Sequence, residues 1–261
     1  MNDLTSVESV SRKELEVRQQ EWDRLQAELA DRELFLASAR SEVHRFETRY
    51  QERVGRKFKE LDQLKAGVLE MAAKVNPDSK KFQAQAETAR EQADRNPPEP
   101  ESEPQLNSEE DNFKPSDELK KQFRDAAKKM HPDLTTDPVE RARRHDLMAL
   151  LNQAYTRLDA EGMQSVLDRW EDGLKPDDDL DLGQQLSRLL KQIGQIRHRL
   201  NKIQVEMQTL EQSEMHRLMN YVETSREKGL DVLQDMASDV DEKINTLRTR
   251  IKNLAVDCSF L

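Results

Sequence analysis

Leu119-Lys120-Lys121-Gln122-Phe123-Arg124-Asp125-Ala126-Ala127-Lys128-Lys129-Met130-His131-Pro132-Asp133 is a basic amphipathic stretch that runs into a His-Pro-Asp turn. Pro132 fixes its own φ and disfavours helical geometry at His131. The pattern therefore predicts a helix ending at that point, with the imidazole and the Asp133 carboxylate presented on a turn. After a polar loop over 134–138, residues 140–158 carry Leu147, Met148, Leu151, Ala154, Tyr155 and Leu158 at helical spacing. Two amphipathic helices thus face each other across the turn. A bare His-Pro-Asp is most often only a helix stop; the two flanking helices are what give it meaning.

With both flanks in place, the segment resembles the J domain of DnaJ-type co-chaperones. In that family two antiparallel helices form a hairpin, and the His-Pro-Asp loop docks on a DnaK-type (70-kDa heat-shock) chaperone. Leu119 and Phe123 look like buried residues of the family's second helix, and Leu151-Asn152-Gln153-Ala154-Tyr155 looks like the Ile-Asn-Glu-Ala-Tyr pattern of its third. The resemblance implies that Lys120, Lys121, Arg124, Lys128 and Lys129 form a partner-facing basic surface and that His131, Pro132 and Asp133 are the docking loop. It also implies recognition and stimulation of the partner's ATPase, with no catalysis by this chain. The likeness covers about a quarter of the sequence. The family's opening helix has no counterpart beyond Phe113. In place of an Arg-rich fourth helix, Met163, Val166, Leu167 and Trp170 are expected to cap the hairpin.

Composition sets the surroundings of this segment. Charged residues make up 36% of the 261, aromatics 5%, and there are only 7 Gly. That balance excludes an ordinary large globular core and fits an all-α chain, in which two long coiled-coil arms flank a small J-like hairpin. From Leu15 an apolar residue recurs at every seventh position through Trp22, Leu29, Leu36, Val43 and Tyr50, with Leu25, Ala39 and Phe46 at companion sites. A four-residue skip after Tyr50 restarts the series at Val54, Leu61, Val68 and Val75, with Leu64 and Met71 as companions, and reads as a stutter. The C-terminal arm runs Leu182, Leu189, Ile196, Ile203 and Leu210 beside Leu186, Ile193, Leu200 and Met207. It loses phase over 213–229 and resumes at Leu230, Ala237, Ile244 and Ile251 beside Leu233, Val240, Leu247 and Leu254. A bend or break is expected there.

The organisation read from these patterns is a flexible N-terminus (1–11), an N-terminal coiled-coil arm (12–95), an acidic Pro/Glu linker (96–112), the J-like domain (113–172), a second linker (173–181) and a C-terminal arm (182–256). Each arm would be on the order of 90–110 Å long at ~1.5 Å per residue. Antiparallel pairing of the arms within one chain, with the J-like domain at the tip of a rod, is the favoured arrangement over a parallel homodimer, because a tether raises the effective concentration. Glu99, Glu101, Glu103, Glu109, Glu110 and Asp111 could fold back and mask the basic helix.

Other chemistries find no support in the residues. The net charge of −10 makes nucleic acid an unlikely main partner. Cys258 is the sole cysteine, so neither a disulfide framework nor paired zinc ligands are expected. The scattered His44, His145, His198 and His216 lack metal-ligand spacing, and no phosphate-cradling Gly loop occurs, so no cofactor is expected. No apolar run of ~18 residues and no signal segment is read, which makes the cytoplasm the expected compartment and a membrane an unexpected partner. The expected function is a J-domain co-chaperone that stimulates a DnaK-type ATPase and is targeted by its arms to a client or complex. The alternative is a coiled-coil scaffold whose J-like hairpin is not coupled to a chaperone.

Overall fold

In a computed structural model of the chain, the described residues are 2–94, 113–171 and 181–258, with side chains described over 12–94, 113–171 and 181–252. All regular structure among them is helical. The linker 96–112, including its acidic residues, and nearly all of 173–181 lie outside the described residues, so the expected masking of the basic helix lies there too. The helix α1 spans Asn2–Tyr50, so residues 2–11, expected to be flexible, are helical. The chain divides into two compact units, 1–42 with 112–213, and 43–111 with 214–261.

In the first unit, α4 (Asp117–Met130), α5 (Pro138–Thr156) and α6 (Ala160–Glu171) pack around one apolar core. Ser116 caps α4 by accepting the Leu119 N–H, and Asp137 caps α5, whose first residue is Pro138. A 3-10 turn, Pro132–Leu134, separates these two helices. Phe123, Met130, Leu151, Tyr155 and Met163 are fully buried. Phe113 stands edge-on to Tyr155 at 5.5 Å and Phe123 lies 4.8 Å from the same ring, so Phe113 fills core space even though no helix includes it. Met163, Val166 and Trp170 close the core, and Leu167 packs against it. Helix α5 ends with Leu158 at φ 57°, a left-handed residue where Gly is usual, while the Asp159 N–H returns to the Ala154 carbonyl.

Helix α1 serves this unit with two faces. Ala30, Leu34 and Ala37, spaced four and three residues apart, join the core of the three helices. Leu25, Leu29 and Leu36 instead pack with Leu134 and with Leu189, Ile193, Ile196 and Ile203 of α7 (Leu182–Glu211). The cross-links between α1 and α7 advance together, Glu21 with Arg197 and then Arg40 with Glu206. The two helices therefore run in the same direction, which corrects the antiparallel expectation; the chain can return to the start of α1 because α4–α6 intervene before α7 begins.

In the second unit, a π segment, Gln51–Gly55, interrupts the helix at the position of the stutter, with the Arg56 N–H reaching back to the Gln51 carbonyl and Val54 fully buried. Helix α2 (Arg56–Val75) then ends at Asn76, and α3 (Lys80–Asp94) folds back along it, with Arg90 3.6 Å from Glu70. The expected arm to residue 95 is thus a helical hairpin at its far end, and Met71 and Val75, assigned to the seam, are exposed. Leu61 packs with Val240 and Ile244 of α9 (Val232–Cys258). Lys57 with Asp241 and Glu60 with Arg248 again advance together. The expected break falls on both sides of α8 (Glu214–Glu227), with Gly229 at φ 79° in the turn before α9.

Phe123→Ala would empty the middle of the first unit's core. Loss of an aromatic side chain of this kind costs about 3–5 kcal/mol; chemical denaturation of the full chain should show that loss, whereas Val139→Ala, at an exposed position, should leave the stability within about 0.5 kcal/mol.

Candidate functional site

The turn closing α4 is built as its sequence demands. His131 sits at φ −60°, ψ 135°, the extended geometry that a following proline requires, and the helix stops at Met130. Its ring curls back so that Nδ1 accepts the Asp133 N–H at 3.1 Å. That leaves Nε2 as the protonated ring nitrogen of the neutral tautomer, free to donate outward.

What Nε2 meets is Glu33 of α1. The Nε2–Oε1 distance is 2.9 Å, and Arg199 of α7 holds the same carboxylate from its other side, Nε to Oε1 at 2.6 Å and Nη2 to Oε2 at 3.1 Å. Arg199 is fixed in turn by Glu206 at 2.8 Å. His131 is only 2% exposed and Glu33 only 6%. The sequence predicts a presented imidazole; the structure encloses it, because α1 and α7 cross the turn, α1 supplying the acceptor for Nε2 while the turn's own Asp133 N–H satisfies Nδ1. The Asp133 carboxylate stays partly exposed, 3.9 Å from Nδ1 and beyond hydrogen-bond reach.

The surroundings reinforce this enclosure. Leu134 is inserted into the α1–α7 apolar seam, and its carbonyl accepts from Gln192 at 2.7 Å. Gln195, with its amide nitrogen turned inward, donates to the Asp133 and Thr135 carbonyls at 3.2 Å. Gln26 donates to the Lys128 carbonyl at 2.6 Å, and Arg144 reaches the His131 carbonyl at 3.4 Å while stacking on Trp170.

The five cations before the turn divide into two kinds. Lys121 and Lys128 are exposed, Lys120 is half-exposed beside Asp117 at 3.6 Å, and Lys129 is exposed with Glu171 4.0 Å away. Arg124 is instead drawn to Asp31 of α1. The basic face of α4 therefore remains largely open to solvent, while the His131 imidazole at its end does not. Among the described residues no cluster of His, Cys, Asp and Glu could hold a metal ion, and no helix is long and apolar enough to cross a membrane.

Glu33 and Arg199 were not legible as site residues. Each looks like one more charge on a charged helix, and only the crossing of α1 and α7 at the turn brings them together. Burial pushes the Glu33 carboxyl upward, but hydrogen bonds from His131 and Arg199 and the Arg199 charge outweigh it and hold the group below the ordinary glutamate value.

Because the folded-state value lies below the unfolded one, the stabilisation from Glu33 is fully present above the ordinary glutamate range and is lost as pH falls through the depressed value. Glu33→Gln should lower the melting temperature at neutral pH, at the lower end of the about 3–5 kcal/mol typical of a broken buried pair. The gap to wild type should narrow below about pH 4. A gap that stays constant across that range in thermal melts would contradict this account.

Against family models, curated proteins and solved structures, the chain finds no match.

Proposed function

We propose that this chain is a J-domain-type co-chaperone, recruiting and stimulating a DnaK-type ATPase, with coiled-coil arms that direct it to a client or complex. The observation that carries the reading is the outward face of α4. Lys121 and Lys128 stand in solvent, with Lys120 half-exposed beside them, on a helix that leads directly into His131-Pro132-Asp133 and is braced from behind by Phe123 and Tyr155. Such a face steers an acidic partner surface toward the turn and accelerates encounter more than it tightens the final complex. In this reading His131 and Asp133 trigger the partner, Pro132 sets the turn, and Lys120, Lys121, Arg124, Lys128 and Lys129 dock. The chain itself performs no chemistry, and the cytoplasm is its compartment.

A second reading, a helical scaffold whose hairpin is uncoupled from any chaperone, is favoured by one specific observation: His131 is engaged from within by Glu33 and Arg199. There the imidazole would be an internal pin holding α4 and α5 against α1 and α7.

Steady-state ATPase assays with the DnaK-type chaperone of the same organism separate the two. The co-chaperone reading expects stimulation by wild type and none by His131→Gln, with Lys120→Ala/Lys121→Ala lowering the apparent affinity and flattening its dependence on salt. Equal rates with wild type, His131→Gln and buffer would leave the scaffold.

A further inference from the structure

The loop that would meet a partner is the same loop that α1 and α7 enclose, and the two engagements exclude each other. His131 Nε2 cannot donate to Glu33 and to another molecule at once, and Leu134 cannot leave the α1–α7 seam without breaking the Gln192 bond to its carbonyl. Resting on the co-chaperone reading, we propose that Glu33 and Arg199 form an autoinhibitory latch. In the latched state the helices α1 and α7 sequester the His-Pro-Asp turn, and the turn engages a DnaK-type partner only after α4–α6 loosen from α1.

The construction of the contact supports a latch over a permanent pin. The interactions between α1 and the three-helix core are mostly polar and sit at its rim. They comprise Gln26 to the Lys128 carbonyl, Asp31 to Arg124, Ser38 to the Tyr155 hydroxyl at 2.9 Å and Ser41 to Thr156 at 3.0 Å. The apolar contribution of α1 to that core is small, Ala30 and Leu34 with Ala37 beside them. The three-helix core has its own aromatic centre, in which Phe113 and Phe123 both pack on the Tyr155 ring. Arg124, one of the docking cations, is taken up by Asp31 in the same closed arrangement, so closure removes both the trigger and part of the steering charge. A binding-competent state populated at a fraction f weakens the apparent affinity by 1/f. A client or complex that grips α1 or α7 and separates them would then raise chaperone stimulation with no change in the loop.

Two opposite variants test this in the full chain with the DnaK-type ATPase. Ser41→Cys/Thr156→Cys, in a Cys258→Ser background, places two thiols where the native hydroxyls already lie 3.0 Å apart and should fasten α5 to α1 when oxidised. Glu33→Met/Arg199→Met replaces the buried pair by apolar groups of similar size, a change that is often tolerated, and leaves Nε2 without an acceptor. The latch expects the oxidised double cysteine to sit at the basal ATPase rate, its reduced form to match wild type, and the double methionine to stimulate on the order of tenfold more than wild type at subsaturating concentration. Equal stimulation by oxidised and reduced forms would overturn the latch and leave the co-chaperone reading standing. A double methionine that keeps wild-type helicity yet stimulates no more than wild type would overturn the assignment of Glu33 and Arg199; should it misfold, the cysteine pair decides alone. If wild type, reduced double cysteine and double methionine all leave the ATPase at its basal rate, the co-chaperone reading fails and the latch with it.

Discussion

A single enclosed carboxylate organises the first unit. Glu33 accepts from an imidazole on one side and from a guanidinium on the other, and each of those donors belongs to a different part of the sequence. A carboxylate with 6% exposure is tolerable only with such donors, since desolvation alone would drive it to the neutral form. The requirement is mutual: the neutral tautomer of His131, with Nδ1 accepting from the Asp133 backbone, needs an acceptor at Nε2 once water is excluded. The position of the turn relative to α1 and α7 follows from satisfying all three groups at once.

The helix that carries this carboxylate shows how an acidic, charge-rich chain can still build interior structure. One edge of α1 presents Leu25, Leu29 and Leu36 to α7, and the adjoining edge presents Ala30, Leu34 and Ala37 to the three-helix core. Glu33 lies between them in sequence. Small residues on the second edge allow close approach, and the serines Ser38 and Ser41 supply hydroxyls where the core ends in Tyr155 and Thr156. The same helix thus packs on α7 along one edge and walls the three-helix core along the other.

Much of this was legible in the residues, and the reasons differ by feature. The helix stop at His131, the burial of Leu119, Phe123, Leu151 and Tyr155, and the break around α8 are local or periodic consequences that sequence carries directly. The direction of α7 along α1 was not legible, because a seam of recurring apolar residues is symmetric with respect to polarity; the order of Glu21–Arg197 and Arg40–Glu206 decides it. Nor was the enclosure of His131. Tripeptide and flanks specify the turn, whereas its cover comes from residues about a hundred positions upstream and nearly seventy downstream, Glu33 and Arg199. Met71, Val75 and Leu230 fit the repeat yet lie in solvent, which shows that periodicity counts positions without knowing where the neighbouring helix ends.

The π turn at Gln51–Gly55 has a consequence for how this chain tolerates changes in length. Wide turns of this kind accommodate a surplus residue within an otherwise continuous helix. Trimming one amino acid from it would restore ordinary winding and leave Leu61 and Val68 near their present bearing relative to Val43 and Phe46, whereas the same loss from the regular helix on either side would swing them by about 100°. A single-codon deletion in the ordinary turns of this helix would turn an oily stripe away from its neighbour, whereas one inside the wide turn that spares Val54 would be absorbed where it occurs.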